Sequence, residues 1–216
     1  INLKVALAVG KLIENSDRDV KVIYTRKKDV FVTLQGRAQI ANKNKADLFI
    51  SIHTNALAKG RIVQGTETYT LGLHRTQENL EVAKKENSVI LIEDDYKTRY
   101  AGFNPNSSES YIMFEFMQDK NMKQSVQLAT LVQKQFRSTA RRVDRGVRQA
   151  GFLVLHATSM PSVLIELGYI STPEEEKYLN SQAGINALSR SICQAVLQYK
   201  KAQTGTASAL AMIEPV

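Results

Sequence analysis

A chain of 216 residues, 43% hydrophobic and 23% charged, is long enough for one globular domain with a full core, and its balance excludes a disordered or fibrous protein. Its net charge of +8 implies attraction to a polyanion but does not choose among nucleic acid, anionic lipid and an acidic cell-wall polymer. The single cysteine, Cys193, rules out an internal disulfide, and no apolar run of about 18 residues is present to span a membrane as a helix.

The chain opens at Ile1, already in helical periodicity, so a preceding segment, including any signal peptide, is expected to have been removed or to be missing. Leu3, Ala6, Leu7, Val9, Leu12 and Ile13 recur at helical spacing up to Asn15-Ser16-Asp17, and Val20–Tyr24 reads as a short strand. Thr33 has Gly36 three residues on and makes a poor capping box, yet Leu34–Asn42 reads as a helix with Leu34, Ala38 and Ala41 inward. Leu48–His53 is apolar on both faces, as a central covered strand should be, and Gly65–Leu71 alternates as another. Helices are predicted over Gln77–Ile92 and Met122–Arg137, buried strands over Phe152–Leu155 and Val163–Leu167, and one or two helices over Glu174–Lys201. The tail 202–216, small and weakly polar, is expected to be loose. The pattern is that of a single α/β domain over residues 1–201, with right-handed crossovers wherever parallel strands are joined.

Residues 93–120 break the rhythm. This stretch runs acidic, then rich in Tyr, Gly, Asn, Pro and Ser, then into Ser107-Ser-Glu-Ser-Tyr-Ile-Met-Phe-Glu-Phe-Met117, where Ser107 and Glu109 suit a helix start and the apolar run a short helix. An insertion of this length is either functional or an extra core helix.

Two apolar segments lead straight into one polar residue each: Leu48-Phe-Ile-Ser-Ile-His53-Thr-Asn55 and Pro161-Ser-Val-Leu-Ile-Glu166-Leu-Gly168. Strands ending this way place an imidazole and a carboxylate at one sheet edge. A neutral imidazole is a zinc ligand, and a carboxylate beside an activated water takes its proton. Set against that, a strand-end His is often a hydrogen-bonded structural residue, Glu166 can pair with an Arg, and no HExxH-type motif is present. Of the other histidines, His74 falls in a turn, while His156 ends an apolar run as a substrate-contacting or strand-terminal group.

Thr25-Arg26, Asp29, Leu34-Gln-Gly-Arg37-Ala38, Ala41-Asn42, Ala46-Asp47 with the His53 strand, Gly65-Thr-Glu67, Glu86-Asn87, Arg145-Gly-Val147 and Met160-Pro161 with the Glu166 strand occur in an order that resembles the zinc-dependent N-acetylmuramoyl-L-alanine amidases of the Amidase_3 type. The resemblance runs from Ile1 to about Tyr199, interrupted by residues 93–120. It implies a mixed, largely parallel sheet flanked by helices on both faces, and cleavage of the amide between N-acetylmuramic acid and L-alanine in peptidoglycan. By the same resemblance His53 is a zinc ligand and Glu166 the catalytic carboxylate; Asn55 and His156, at the ends of apolar runs, are candidate substrate-binding residues, and the setting expected is periplasmic or otherwise extracytoplasmic. The family's other two metal ligands, a His in a Gly-His-Gly-Gly stretch and a Glu ahead of the first helix, would fall before Ile1, and Glu14 does not replace the latter.

Some cell-division amidases of this type carry a helical insertion that covers the cleft until a partner protein displaces it. Residues 93–120 resemble such an insertion, which makes Glu109 and Glu115 candidates to block the metal and the Met/Phe face a candidate activator surface. Two other classes compete: a noncatalytic peptidoglycan-binding module on the same scaffold, and a nucleic-acid-binding protein using Arg137, Arg141, Arg142, Arg145 and Arg148. That basic cluster lacks interleaved aromatics, which favours a solvated face and no nucleic acid.

Overall fold

Every residue of the strand Ser162–Tyr169 is buried, as is every residue of Thr66–Leu71, and the architecture follows from covering both faces of these two strands. The computed structural model describes residues 1–57, 61–116 and 120–211, apart from the side chains of residues 115, 116 and 205–211. In chain order the elements are α1 (Asn2–Ser16), α2 (Leu34–Lys43), β1 (Phe49–Asn55), β2 (Thr66–Leu71), α3 (Gln77–Asn87), α4 (Tyr96–Arg99), α5 (Met122–Ser138), β3 (Asp144–Ala150), α6 (Leu153–His156), β4 (Ser162–Tyr169), α7 (Pro173–Asn180) and α8 (Gln182–Ala211). Short 3-10 helices cover Ser88–Ile92 and Ser108–Phe116. The sheet has the order β1-β4-β2-β3, with β1/β4 and β2/β3 parallel and β2/β4 antiparallel, so it is mixed and largely parallel as expected.

The two-residue period of a strand divides the core. Val163, Ile165 and Leu167 point into a cluster with Val5, Val9, Leu128, Val132, Leu188 and Ile192 from α1, α5 and α8. Leu164, with Phe49 and Tyr69, points into the opposite cluster, built from α2, α3, α6 and the aromatic residues Phe103, Tyr111 and Phe114. Helices therefore flank both faces, and the irregular segment packs on the second one.

Several boundaries differ from expectation. Val20–Tyr24 is not a strand: it has no strand partner among the described residues and is pinned by Val22 N–H to Glu14 Oε1 at 3.3 Å and by Tyr24 lying over Gly10. Phe152–Leu155 is not a strand either, because Leu153–His156 forms one turn of buried helix; four consecutive apolar residues carry no period that separates the two. The strand Asp144–Ala150, polar in sequence, forms one edge of the sheet, and β1, expected to be a central covered strand, forms the other and is only partly buried. Thr33 caps α2 without a capping box, its hydroxyl accepting from Gly36 N–H at 3.0 Å. The tail was expected to be loose, but α8 continues through it to Ala211, and residues 212–216 lie outside the described residues.

Candidate active site

His53 and Glu166 are register partners across β1 and β4, and Glu67 is the partner of Glu166 across β2 and β4. Cross-strand partners project to the same face. His53, Glu166 and Glu67 thus form one polar row on the face that carries α3 and α6. The row sits in the last half of β1 and β4, where each apolar run gives way to polar sequence.

Glu166 is fully buried, and neither of its carboxylate oxygens has a partner among the described residues. Burial first, and then the nearby charge of Glu86, hold its carboxyl well above the ordinary carboxylate range. Beside it, His53 Nδ1 meets Glu86 Oε2 at 2.5 Å and its Nε2 faces Ser51 Oγ at 2.9 Å. Burial raises the Glu86 carboxyl, but the His53 hydrogen bond, with Lys85 and Arg37 close by, outweighs it and keeps the group below its ordinary value. Glu86 lies in the last turn of α3, so this helix delivers a carboxylate onto the predicted metal-ligating imidazole.

At the other end of the row Glu67 is also fully buried, yet richly partnered. Its Oε1 accepts from Tyr169 Oη at 2.6 Å and Arg145 Nε at 2.6 Å, and its Oε2 accepts from Tyr69 Oη at 2.7 Å. Arg148 Nη2 stands 3.3 Å from the same Oε1. Two buried carboxylates therefore face each other across β2 and β4 with opposite surroundings, one neutralised by two guanidinium groups and one left bare.

The segment after α3 seals the face. Asn87 is buried; its Nδ2 donates to Gly151 O at 2.7 Å and Tyr111 Oη at 3.2 Å, and its Oδ1 accepts from Leu153 N–H at 3.0 Å. Phe103 packs edge-on against Tyr111 and Phe114 with ring centroids 5.1 and 6.1 Å apart, and Tyr111 meets Phe114 at a tilt of 40°. Phe114 sits over Gly151 so closely that a Cβ there would fall 2.2 Å from its ring, and its ring meets His156 edge-on at 5.8 Å. Burial lowers the His156 pKa and pushes the Tyr111 phenol up to about 12.

Of the residues singled out in the sequence, the structure brings His53 and Glu166 together and puts Asn55 two residues beyond His53 on the same strand. Asn55 is buried, its Oδ1 accepting from Ala56 N–H at 2.8 Å while its Nδ2 has no partner among the described residues. His156 closes α6 against Phe114. Glu109 is at the surface, hydrogen-bonded by Ser107, rather than at His53. The side chain of Glu115 lies outside the described residues. Sequence reasoning assigned no role to Glu86, although the Glu86-Asn87 pair was among the matching motifs, nor to Glu67. Three members of the basic cluster are already paired: Arg142 with Glu175, and Arg145 and Arg148 with Glu67 and Glu78. Arg142 is also stacked 4.5 Å over the Tyr178 ring.

Comparison with known proteins agrees with this geometry. Residues 1–198 match Amidase_3, the N-acetylmuramoyl-L-alanine amidase family. N-acetylmuramoyl-L-alanine amidase AmiA of Escherichia coli K12 is 28% identical over 91% of this chain and 66% of its own length. AmiC of Escherichia coli O6:H1 is 30% identical over 91% of this chain and 46% of its own length, so the chain spans less than two thirds of either relative. The crystal structure of N-acetylmuramoyl-L-alanine amidase from Clostridium difficile 630 superposes with a TM-score of 0.65 at 25% identity, covering 92% of this chain and 81% of that one. The catalytic domain of CwlV, an amidase from Bacillus (Paenibacillus) polymyxa, gives 0.62 at 26% identity, covering 92% and 82%. No helix among the described residues is long and apolar enough to cross a membrane.

Proposed function

The chain belongs to the Amidase_3 family of N-acetylmuramoyl-L-alanine amidases, and on that premise we propose that the complete protein hydrolyses the amide joining N-acetylmuramic acid to L-alanine in peptidoglycan, in an extracytoplasmic setting. The observation that carries the reading is the bare, buried carboxylate of Glu166 standing in register with His53. A buried carboxylate without a hydrogen bond is costly, and such groups collect where chemistry needs them.

Zinc takes imidazole nitrogen, and His53 offers one, engaged by Glu86 in this structure. Among the described residues no group of three His, Cys, Asp or Glu side chains gathers to hold a metal. His53 would therefore hold zinc as one member of a donor set completed from outside the described residues, once Glu86 leaves it. Bound there, zinc supplies Lewis acidity to the scissile carbonyl and the attacking water. The chain's own residues do the rest. Glu166, with its raised proton affinity, takes the proton of the attacking water as the new C–O bond forms, then returns it to the L-alanine nitrogen as the C–N bond breaks. The free Nδ2 of Asn55 is a donor at the same strand end for a substrate carbonyl.

We infer that this is a closed state of the site. Glu86 engages His53, Glu166 is sealed from solvent, and Asn87 with the Tyr111 and Phe114 rings ties down the segment 93–116 that follows α3. A partner protein that binds the open form better would release it. Glu86 is the carboxylate set against His53, while Glu109 stands at the surface beside Ser107.

Zinc content and release of peptide from purified peptidoglycan test the reading in the complete protein. Glu166→Gln keeps zinc and loses turnover; His53→Ala loses both. Near-normal turnover by Glu166→Gln would remove the carboxylate from its assigned role.

A further inference from the structure

The helix α3 crosses the polar row from end to end. Glu78 in its first turn stands over β3, and Glu86 in its last turn stands over β1. The eight-residue separation spans about 12 Å of helix, close to the roughly 14 Å that three strand spacings put between β1 and β3. Each end delivers a carboxylate: Glu86 to His53, and Glu78 to the guanidinium groups of Arg145 and Arg148.

The two carboxylates that these arginines share are not equivalent. Glu67 is fully buried and held by both tyrosine hydroxyls and by Arg145 Nε at 2.6 Å. Glu78 is 32% exposed, with its oxygens 3.2 Å from Arg145 Nη2 and 3.5 Å from Arg148 Nη1. Glu67 therefore fixes the arginines, which are aligned further by the Arg145 guanidinium 5.4 Å over the Tyr169 ring and by Arg148 Nη1 donating to Asn79 Oδ1 at 3.0 Å. Glu78 is the outer, replaceable partner. With Glu78 withdrawn, two guanidinium groups face one carboxylate, leaving one uncompensated positive charge and several N–H donors at the edge of the row.

We propose that Arg145 and Arg148 form a subsite for a carboxylate of the peptidoglycan stem peptide, filled in this closed state by Glu78; this rests on the amidase reading above. The subsite lies two strand spacings from Glu166, roughly 10 Å. An extended peptide covers that distance in about three residues, so a chain leaving the scissile amide at Glu166 and running across β2 carries its acidic residues to the arginines. The fixed planar forks select a carboxylate over the neutral amide that replaces it in amidated stem peptides.

The test uses the complete protein and two stem tripeptides, identical except that the glutamate α-carboxylate is free in one and amidated in the other. Binding of each is measured by calorimetry, and turnover with the matching muramyl peptides. Closure of α3 weakens both apparent affinities by the same factor, so the ratio between them reports the subsite alone. The free acid is expected to bind about tenfold more tightly. Arg148→Gln brings the ratio near one, Arg148→Lys restores part of it, and Glu78→Gln strengthens binding of the acid severalfold. A ratio near one in the natural protein, a ratio that survives Arg148→Gln in a folded protein, or no binding of either peptide at millimolar concentration would overturn the subsite. Selective binding without turnover would instead sink the amidase reading and leave the subsite standing.

Discussion

Replacing Asn87 with Ala probes the closure proposed for the site. Its side chain makes three hydrogen bonds, to Gly151 O, Tyr111 Oη and Leu153 N–H, and the residue is only 1% exposed. Each bond contributes about 1 kcal/mol, and the truncation also strands a buried carbonyl and a buried N–H, each costing about 1–3 kcal/mol unless water enters. The expected loss is about 3–5 kcal/mol, and it falls on the contacts among α3, α6 and the aromatic segment rather than on the sheet. Because Asn87 follows Glu86 directly, loosening this end of α3 also weakens the contact to His53. Urea unfolding should show the lower stability, hydrogen exchange should locate the increase at residues 87–114, and release of peptide from peptidoglycan by the complete protein should rise several-fold without an activator. A variant that loses less than about 1 kcal/mol would refute the hydrogen-bond argument. One that loosens the segment at unchanged basal turnover would refute the link between the segment and the site.

Gly151→Ala approaches the same closure from the other side: its Cβ would fall 2.2 Å from the Phe114 ring, so the ring must leave, and near-ultraviolet circular dichroism should register the aromatic change while Glu86 stays untouched. Burial lowers the His156 pKa below its ordinary 6.5, so the unfolded chain binds the extra proton first; the contribution of His156 to stability is complete above about pH 6.5 and drains away as pH falls towards the lowered value. Thermal unfolding between pH 7.5 and 5 should show this slope, and His156→Gln should flatten it. Glu67→Gln leaves Arg145 and Arg148 without their buried counter-charge and should cost about 3–5 kcal/mol by thermal or urea unfolding; a change under about 1 kcal/mol would mean that solvent already compensates these arginines.

The parts of the fold legible in the sequence are those in which pattern and burial agree. Ser162–Tyr169 reads as a covered strand because its apolar run is buried at every position, Phe49–Asn55 reads as a strand although it lies at an edge, and α5 reads as a helix because Leu128, Val132 and Phe136 keep its period. His53 and Glu166 were legible for a related reason: each is the residue at which an apolar run stops. Beyond these, what mattered was tertiary. Asp144–Ala150 looks like a loop until Arg145 and Arg148 find Glu67, a residue 78 positions from the first of them. Val20–Tyr24 has a strand's composition but no strand beside it among the described residues. The segment after Glu93 announced itself by composition, but the place of Glu109, at the surface beside Ser107, is set by tertiary packing that composition does not carry. Glu86 sits on an ordinary amphipathic helix, and nothing in its neighbours distinguishes it from Glu81, which points to solvent and bonds Gln77.

The facing pair Glu67 and Glu166 makes the same point in energetic terms. Each is fully buried, each lies on a strand buried at every position, and in the sheet each is the other's register partner. Two like charges at adjacent positions of a dry sheet cannot both be left bare. The chain resolves this by spending its donors on one of them: two tyrosine hydroxyls and two guanidinium groups converge on Glu67, and none reaches Glu166. The result is two carboxylates of one residue type with different work. Glu67 is a fixed anchor that holds cations in place, while Glu166, with burial and the Glu86 charge raising its proton affinity, has no donor to fix it, as the proton-exchanging role proposed for it requires. Which glutamate would become which depends on Tyr69, Tyr169, Arg145 and Arg148 arriving from three different strands, and that arrangement exists only once the sheet has formed.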